Sequence, residues 1–196
     1  MTTLNSICVF CGSSEGNDIT IIEKGFLLGE ELARRQITLV YGAAKIGIMG
    51  KVAEGALTSK GKVIGVIPEF LKLKEVMHLG LHELITTENM HQRKMKMHDL
   101  SDGFITLPGG FGTLEELFEI ITWAQLGLHQ KPIGLLNVGG FYDDLLQLLE
   151  TMVRRGFLKI ENYELLIVDD SIDQLLEKMK MFKPKEVPKW LKPERT

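Results

Sequence analysis

The segment Leu107-Pro108-Gly109-Gly110-Phe111-Gly112-Thr113-Leu114-Glu115-Glu116 carries the most informative chemistry in the chain. It joins an apolar run that reads as a strand to an amphipathic run that reads as a helix. Its glycines let a ligand approach the main chain closely. The unpaired N–H groups of a first helical turn, together with the helix dipole, favour an anion there, most naturally a phosphate. The loop lacks the Gly-Lys-Ser/Thr of a Walker loop and is not GxGxxG. Thr113-x-x-Glu116 admits two readings. One is a capping box, in which Thr113 caps the helix and Glu116 reaches back to its backbone. The other is a carboxylate held one turn beneath a phosphate. Spacing leaves both open, and they do not exclude each other.

A second reactive stretch, Met90-His91-Gln92-Arg93-Lys94-Met95, opens the preceding helix. The planar fork of Arg93 suits a phosphate or a ribose. The plainer reading of Arg93, Lys94 and Lys96 is a solvated basic face. Met90, Met95 and Met97 read as core filler. Cys8 and Cys11 form a CxxC, but no second pair completes a zinc site, and the run 7–11 reads as a buried strand with the two thiols on opposite faces. His78, His82, His91, His98 and His129 show no metal-ligand spacing. No metal is expected.

Strand-like runs at 6–11, 37–41, 63–67, 83–87, 103–107, 132–137 and 165–168 alternate with helical stretches at 19–35, 48–59, 90–101, 113–127, 141–155 and 171–181. Such alternation predicts an α/β, Rossmann-like, doubly wound fold: a mostly parallel sheet with helices on both faces. Ligands in these folds bind beyond the carboxyl ends of the strands. Gly12-Ser13-Ser14, Gly42 and Pro108-Gly109-Gly110 fall just after strands, as that rule requires. One domain is expected over 1–182, followed by a Pro/Lys-rich tail over 183–196.

Length and composition agree. A chain of 196 residues suits one domain. The net charge of −3 and the lack of a basic stripe with interleaved aromatics argue against nucleic acid and against a membrane surface. No apolar run is long enough to span a bilayer, no secretory leader is legible, and two cysteines are too few for a disulfide framework. A cytoplasmic location is the expectation.

Met-His-Gln-Arg-Lys at 90–94, Pro-Gly-Gly-Phe-Gly-Thr-Leu-Glu-Glu at 108–116 and Ile-Thr-Trp-Ala-Gln-Leu-Gly at 121–127 together resemble the LONELY GUY (LOG) family of cytokinin riboside 5′-monophosphate phosphoribohydrolases. Cys11-Gly-Ser-Ser14, Tyr41-Gly42, Gly47-Ile-Met-Gly50, Lys131–Asn137 and Gly139-Gly-Phe-Tyr142 extend the likeness over 5–181. The resemblance implies a Rossmann-like fold, a homodimer or higher homo-oligomer, and no cofactor. It implies hydrolysis of the N-glycosidic bond of cytokinin nucleotides, AMP or both, releasing an adenine-type base and ribose 5-phosphate. Arg93 and Glu116 match the family's catalytic pair. Glu75, Lys94, Gly109, Gly110, Phe111, Gly112, Thr113, Leu114, Glu115 and Thr122 match its substrate-contacting positions, and Ser13 and Ser14 its first nucleotide-side loop. Where the family often has a run of glycines, this chain has Gly42-Ala43-Ala44, so two methyl groups are expected to narrow the pocket and affect base preference. The competing reading is a nucleotide-binding or carrier protein without turnover, because such folds host many functions. Lysine decarboxylase, an old label among relatives, is rejected: that chemistry usually needs a lysine Schiff base to pyridoxal phosphate, and no lysine here has that setting.

Overall fold

The computed structural model describes residues 2–72 and 77–183. Seven strands run β1 (Ser6–Phe10), β2 (Thr38–Tyr41), β3 (Val63–Pro68), β4 (Glu83–Thr87), β5 (Gly103–Thr106), β6 (Ile133–Leu136) and β7 (Leu166–Asp169). The helices are α1 (Ile19–Arg34), α2 (Gly47–Thr58), α3 (Met90–Asp99), α4 (Phe111–Gln125), α5 (Asp143–Arg154), the single turn α6 (Ile160–Tyr163) and α7 (Ile172–Met181). The strands form one sheet in the order β4-β3-β2-β1-β5-β6-β7. Every pairing is parallel, so the expectation of a mostly parallel sheet is met in full.

Strand order reverses between β1 and β5. The crevice at that switch point is where a doubly wound sheet binds ligand. Here the loops after β1 and β5 touch: the Gly12 amide donates to the Pro108 carbonyl at 3.1 Å. The turn Gly12-Ser13-Ser14 and the loop Pro108-Gly109-Gly110 therefore share one crevice.

Two apolar layers cover the sheet. Ile7, Val9 and Ile105 pack with Leu28, Val52 and Leu176 against α1, α2 and α7. Cys8, Phe10 and Phe104 pack with Met97, Leu117 and Ile120 against α3 and α4. Cys8 and Cys11 are free, buried and in different layers, so the strand reading of the CxxC holds. Strands buried on both faces need no polar alternation, which is why these runs are apolar throughout. No helix among the described residues is long and apolar enough to cross a membrane.

Some boundaries differ from the sequence reading. The turn after β6 delays α5 to Asp143, because Gly139 and Gly140 take positive φ. α4 begins at Phe111, two residues earlier than periodicity suggested. The C-terminal tail from 184 onward and Glu75 lie outside the described residues.

Candidate active site

α3 starts on a built-in cap. The Asn89 side chain accepts from the Gln92 amide at 2.9 Å, and Gln92 Oε1 accepts from the Glu88 amide at 3.0 Å. This fixes the helix entry and aims the next residue, Arg93, at the sheet. Arg93 is 6% exposed. Its Nε donates to the Val66 carbonyl and its Nη2 to the Gly42 carbonyl, both at 3.1 Å, while Nη1 lies 3.8 Å from Met90 Sδ. The guanidinium is thus pinned over the carboxyl ends of β2 and β3. The reading of Arg93 as part of a solvated face is overturned, because main-chain carbonyls replace its water. Met97 is core filler as expected, but Met95 is 46% exposed and Met90 lies against Arg93.

The Thr113 capping box is not formed. Gly110 takes the capping position of α4 without a side-chain hydrogen bond, so Thr113 and Glu116 already lie inside the helix. The amides of Phe111, Gly112 and Thr113 have no acceptor within the helix and remain available to an anion. The loop is held from below. Tyr142, fully buried, donates its hydroxyl to the Leu107 carbonyl at 2.7 Å. The sequence offered no reason to single out Tyr142 for this duty.

Freed from capping, Glu116 turns toward the sheet and makes no hydrogen bond or ion pair with a described residue. Burial pushes its carboxyl up to about 7. Arg93 and Lys94 pull it down, and Glu115 and Glu119 add to the rise. Arg93 and Glu116 therefore share one electrostatic compartment. The Cys8 thiol, under the same carboxylate, is pushed well up, chiefly by burial. A thiol held protonated is a poor nucleophile.

The remaining expected positions divide. Gly109, Gly110, Phe111, Gly112, Thr113 and Leu114 form the loop and first turn. Lys94 Nζ is bound to Glu115 at 2.6 Å and to Glu119 at 2.9 Å. Burial opposes its charge, but the two carboxylates prevail and raise its pKa. Glu119 was not anticipated from sequence; its position in the third turn of α4 gives no signal until α3 is laid beside it. Ser13 and Ser14 are exposed on the rim of a depression of about 460 Å³ that also includes Lys45, Gly47 and Lys51. Gly47 has φ +67°, and a side chain there would meet Ser13 main chain at 2.3 Å, so this rim requires glycine. Thr122 is exposed on α4, with its hydroxyl donating to the Phe118 carbonyl at 2.7 Å. Ala43 and Ala44 are both fully buried. Ala44 belongs to the core and the Ala43 methyl packs against Gly65, so neither narrows an open pocket as expected.

Among the described residues no group of acidic, His or Cys side chains is arranged to hold a metal ion.

Comparison with known proteins bears on family and fold. A family described as possible lysine decarboxylase matches residues 49–179. The chain is 45% identical over 179 residues to the cytokinin riboside 5′-monophosphate phosphoribohydrolase LOG1 of Arabidopsis thaliana, covering 91% of this chain and 84% of that one. It is 44% identical to LOG2 of the same plant, with the same coverage. It is 45% identical over 177 residues to the probable phosphoribohydrolase LOGL3 of Oryza sativa subsp. japonica, covering 90% and 84%. Among solved structures, the molybdenum cofactor binding protein of Rippkaea orientalis superposes with a TM-score of 0.69 at 24% identity, covering 92% of this chain and 98% of that one. The molybdenum cofactor carrier protein of Chlamydomonas reinhardtii gives 0.66 at 18%, covering 91% and 98%. At such identities the structural likeness shows the fold alone. The fold defines a Rossmann-like α/β protein with one parallel sheet. The sequence relationship is narrower: the chain belongs to the LOG family of cytokinin riboside 5′-monophosphate phosphoribohydrolases.

Proposed function

We propose that the protein hydrolyses the N-glycosidic bond of nucleoside 5′-monophosphates, with cytokinin riboside 5′-monophosphates and AMP as its substrates. The observation that carries this reading is that Arg93, pinned over the ends of β2 and β3, acts electrostatically on a largely buried Glu116 whose carboxyl sits near 7.

The substrate phosphate binds the amides of Phe111, Gly112 and Thr113. This anchors the ribose and turns remote binding energy into alignment. Breaking the bond from C1′ to the base leaves its electron pair on the base and positive charge on the ribose ring. Ionised Glu116 stabilises that charge and takes a proton from the attacking water, whose oxygen bonds to C1′. The base nitrogen takes up a proton, and ribose 5-phosphate and free base result. Arg93 holds the phosphate side of the substrate against Glu116. A base poised near neutral pH is well matched to this task.

Lys94 and Lys131 do not suit the Schiff-base role of a decarboxylase. A Schiff-base lysine needs a lowered pKa, whereas Lys94 is raised by its carboxylates. Lys131, whose pKa burial lowers, donates to the His98 carbonyl at 2.7 Å, beside the residues that precede β6 and away from the crevice.

The working protein is a homodimer or a larger homo-oligomer, in the cytoplasm. α4 leaves Phe111 (93%), Phe118 (38%) and Leu126 (38%) exposed on one stripe, with Leu128 beside its end, and a second copy would cover them. Sedimentation of wild type and Phe118→Asp checks this; a monomeric wild type would refute it.

The deciding assay is chromatographic. AMP and isopentenyladenosine 5′-monophosphate are incubated with the protein, each beside its unphosphorylated nucleoside. Free base from the monophosphates alone is expected. Nucleotide binding without base release would instead support a carrier.

A further inference from the structure

Lys94 and Glu115 both match substrate-contacting positions, yet they are bound to each other. Lys94 Nζ lies 2.6 Å from Glu115 Oε1. A nucleotide that engages Glu115 competes with this pair, and parting it would strand a lysine that is only 11% exposed. A third group resolves the conflict. Glu119 Oε1 lies 2.9 Å from the same nitrogen, one helical turn beyond Glu115 and on the same side of α4.

The two carboxylates are not equivalent. The Glu115 side chain is 54% exposed and lies toward solvent. The Glu119 side chain is 21% exposed and lies deeper between α3 and α4. An exposed pair gains little and exchanges readily. A shielded one is harder to part, because its separated charges would stay poorly solvated.

We propose that Glu119 is a positioning residue of the site: it anchors Lys94 from the protein side, so that Glu115 can leave the ion pair when a nucleotide enters. The anchor also ties α3 to α4, the helices that carry Arg93 and Glu116 on the positions adjoining Lys94 and Glu115. Losing it affects substrate binding and the field at Glu116 together. The charged and titratable groups facing Glu116 are Arg93 and Lys94 from α3, Glu115 and Glu119 from α4, the Cys8 thiol from β1 and the Cys11 thiol just after it. Of these, Glu119 is the negative charge that the resemblance leaves without a role.

The release of Glu115 rests on the phosphoribohydrolase reading; the Lys94–Glu119 contact does not. In full-length Glu119→Gln, KM for AMP should rise at least about fivefold while kcat changes less than about threefold. The acid limb of kcat/KM should move to lower pH by about half a unit or more, because a negative charge near Glu116 is gone. The ionisation of AMP itself is common to both proteins and cancels in the comparison. Glu119→Asp keeps the charge but draws it back from Lys94, so it should restore the limb while KM stays raised. A KM within about twofold of wild type and an unmoved limb in Glu119→Gln overturn the proposal. If wild type releases no base, the activity reading fails but this inference is still decided. The Lys94 ammonium is then titrated by nitrogen-15 NMR in wild type and both variants: a lower midpoint in Glu119→Gln supports the anchor, and a midpoint equal to wild type refutes it.

Discussion

Arg93 occupies the space above Gly42. Its Nη2 takes the Gly42 carbonyl as acceptor at 3.1 Å, and a methyl group at position 42 would lie 2.2 Å from that nitrogen. The absence of a side chain at one residue is what places the charge of the other.

Gly42→Ala should therefore displace the guanidinium. Base release should fall by about 10²-fold or more, comparable to Arg93→Lys, which keeps the charge but loses the fork that spans Val66 and Gly42. Steady-state kinetics on both variants check this. Near wild-type turnover in Gly42→Ala would mean that the pinned geometry is dispensable.

Glu116→Gln should separate activity from stability. The folded pKa of about 7 lies above the ordinary value of 4.5. Stability linked to this group is thus full below the ordinary value and lost as pH rises through about 7. The loss is roughly 3 kcal/mol, an upper figure for a group with some solvent access. At about pH 8 the Gln variant should melt about 5 °C higher than wild type while releasing no base. An unchanged or lower melting temperature would show that the carboxylate carries no burial penalty.

The two leading loop glycines should behave differently. A side chain at Gly109 would meet Thr113 Oγ1 at 2.1 Å and the Gly12 amide at 2.8 Å, whereas one at Gly110 would meet nothing within 4 Å. Gly109→Ala should lower the melting temperature and abolish turnover. Gly110→Ala should fold normally, so any loss of turnover there reports on the substrate itself. Calorimetry beside the base-release assay distinguishes the two.

Acid should loosen the far end of the molecule. His98 stacks on Phe104 and meets His129 edge-on, with ring centres 5.8 and 5.3 Å apart. Burial pushes His129 down to about 4 from 6.5. The unfolded chain then takes up the proton first, so stability falls as pH drops from about 6.5 through about 4, by roughly 3 kcal/mol. A melting curve against pH should show that slope. In His129→Gln the curve should lie lower overall but flatter across the same window; an equal slope would assign the acid sensitivity elsewhere.

Much of the architecture was legible because its signals are local. The β-branched runs, the glycines after them and the amphipathic stretches between them are properties of neighbouring residues. They fixed strand and helix positions to within a few residues, and the parallel sheet followed. Local pattern misled at Thr113. The sequence Thr-x-x-Glu suits a cap wherever a helix can begin, but Gly110 accepts the extended cap conformation, and α4 starts two residues earlier. Ala43 and Ala44 misled similarly, since nothing in their neighbourhood announces that Gly65 and the core will enclose them.

By itself the sequence determined the alternation of strands and helices and set glycine-rich turns just after the strands, while it left Arg93 open to a solvated face and Glu116 to a helix cap. The tertiary structure decided what state each is in. Arg93 is pinned because β2 and β3 end beneath it. Glu116 is held near neutral pH because the sheet takes its water away. Lys94 has two carboxylates because α3 lies against α4. Spacing along a helix gives the direction of a side chain, but charge state and partner depend on what lies across the gap. That depends on the order in which the strands are laid into the sheet.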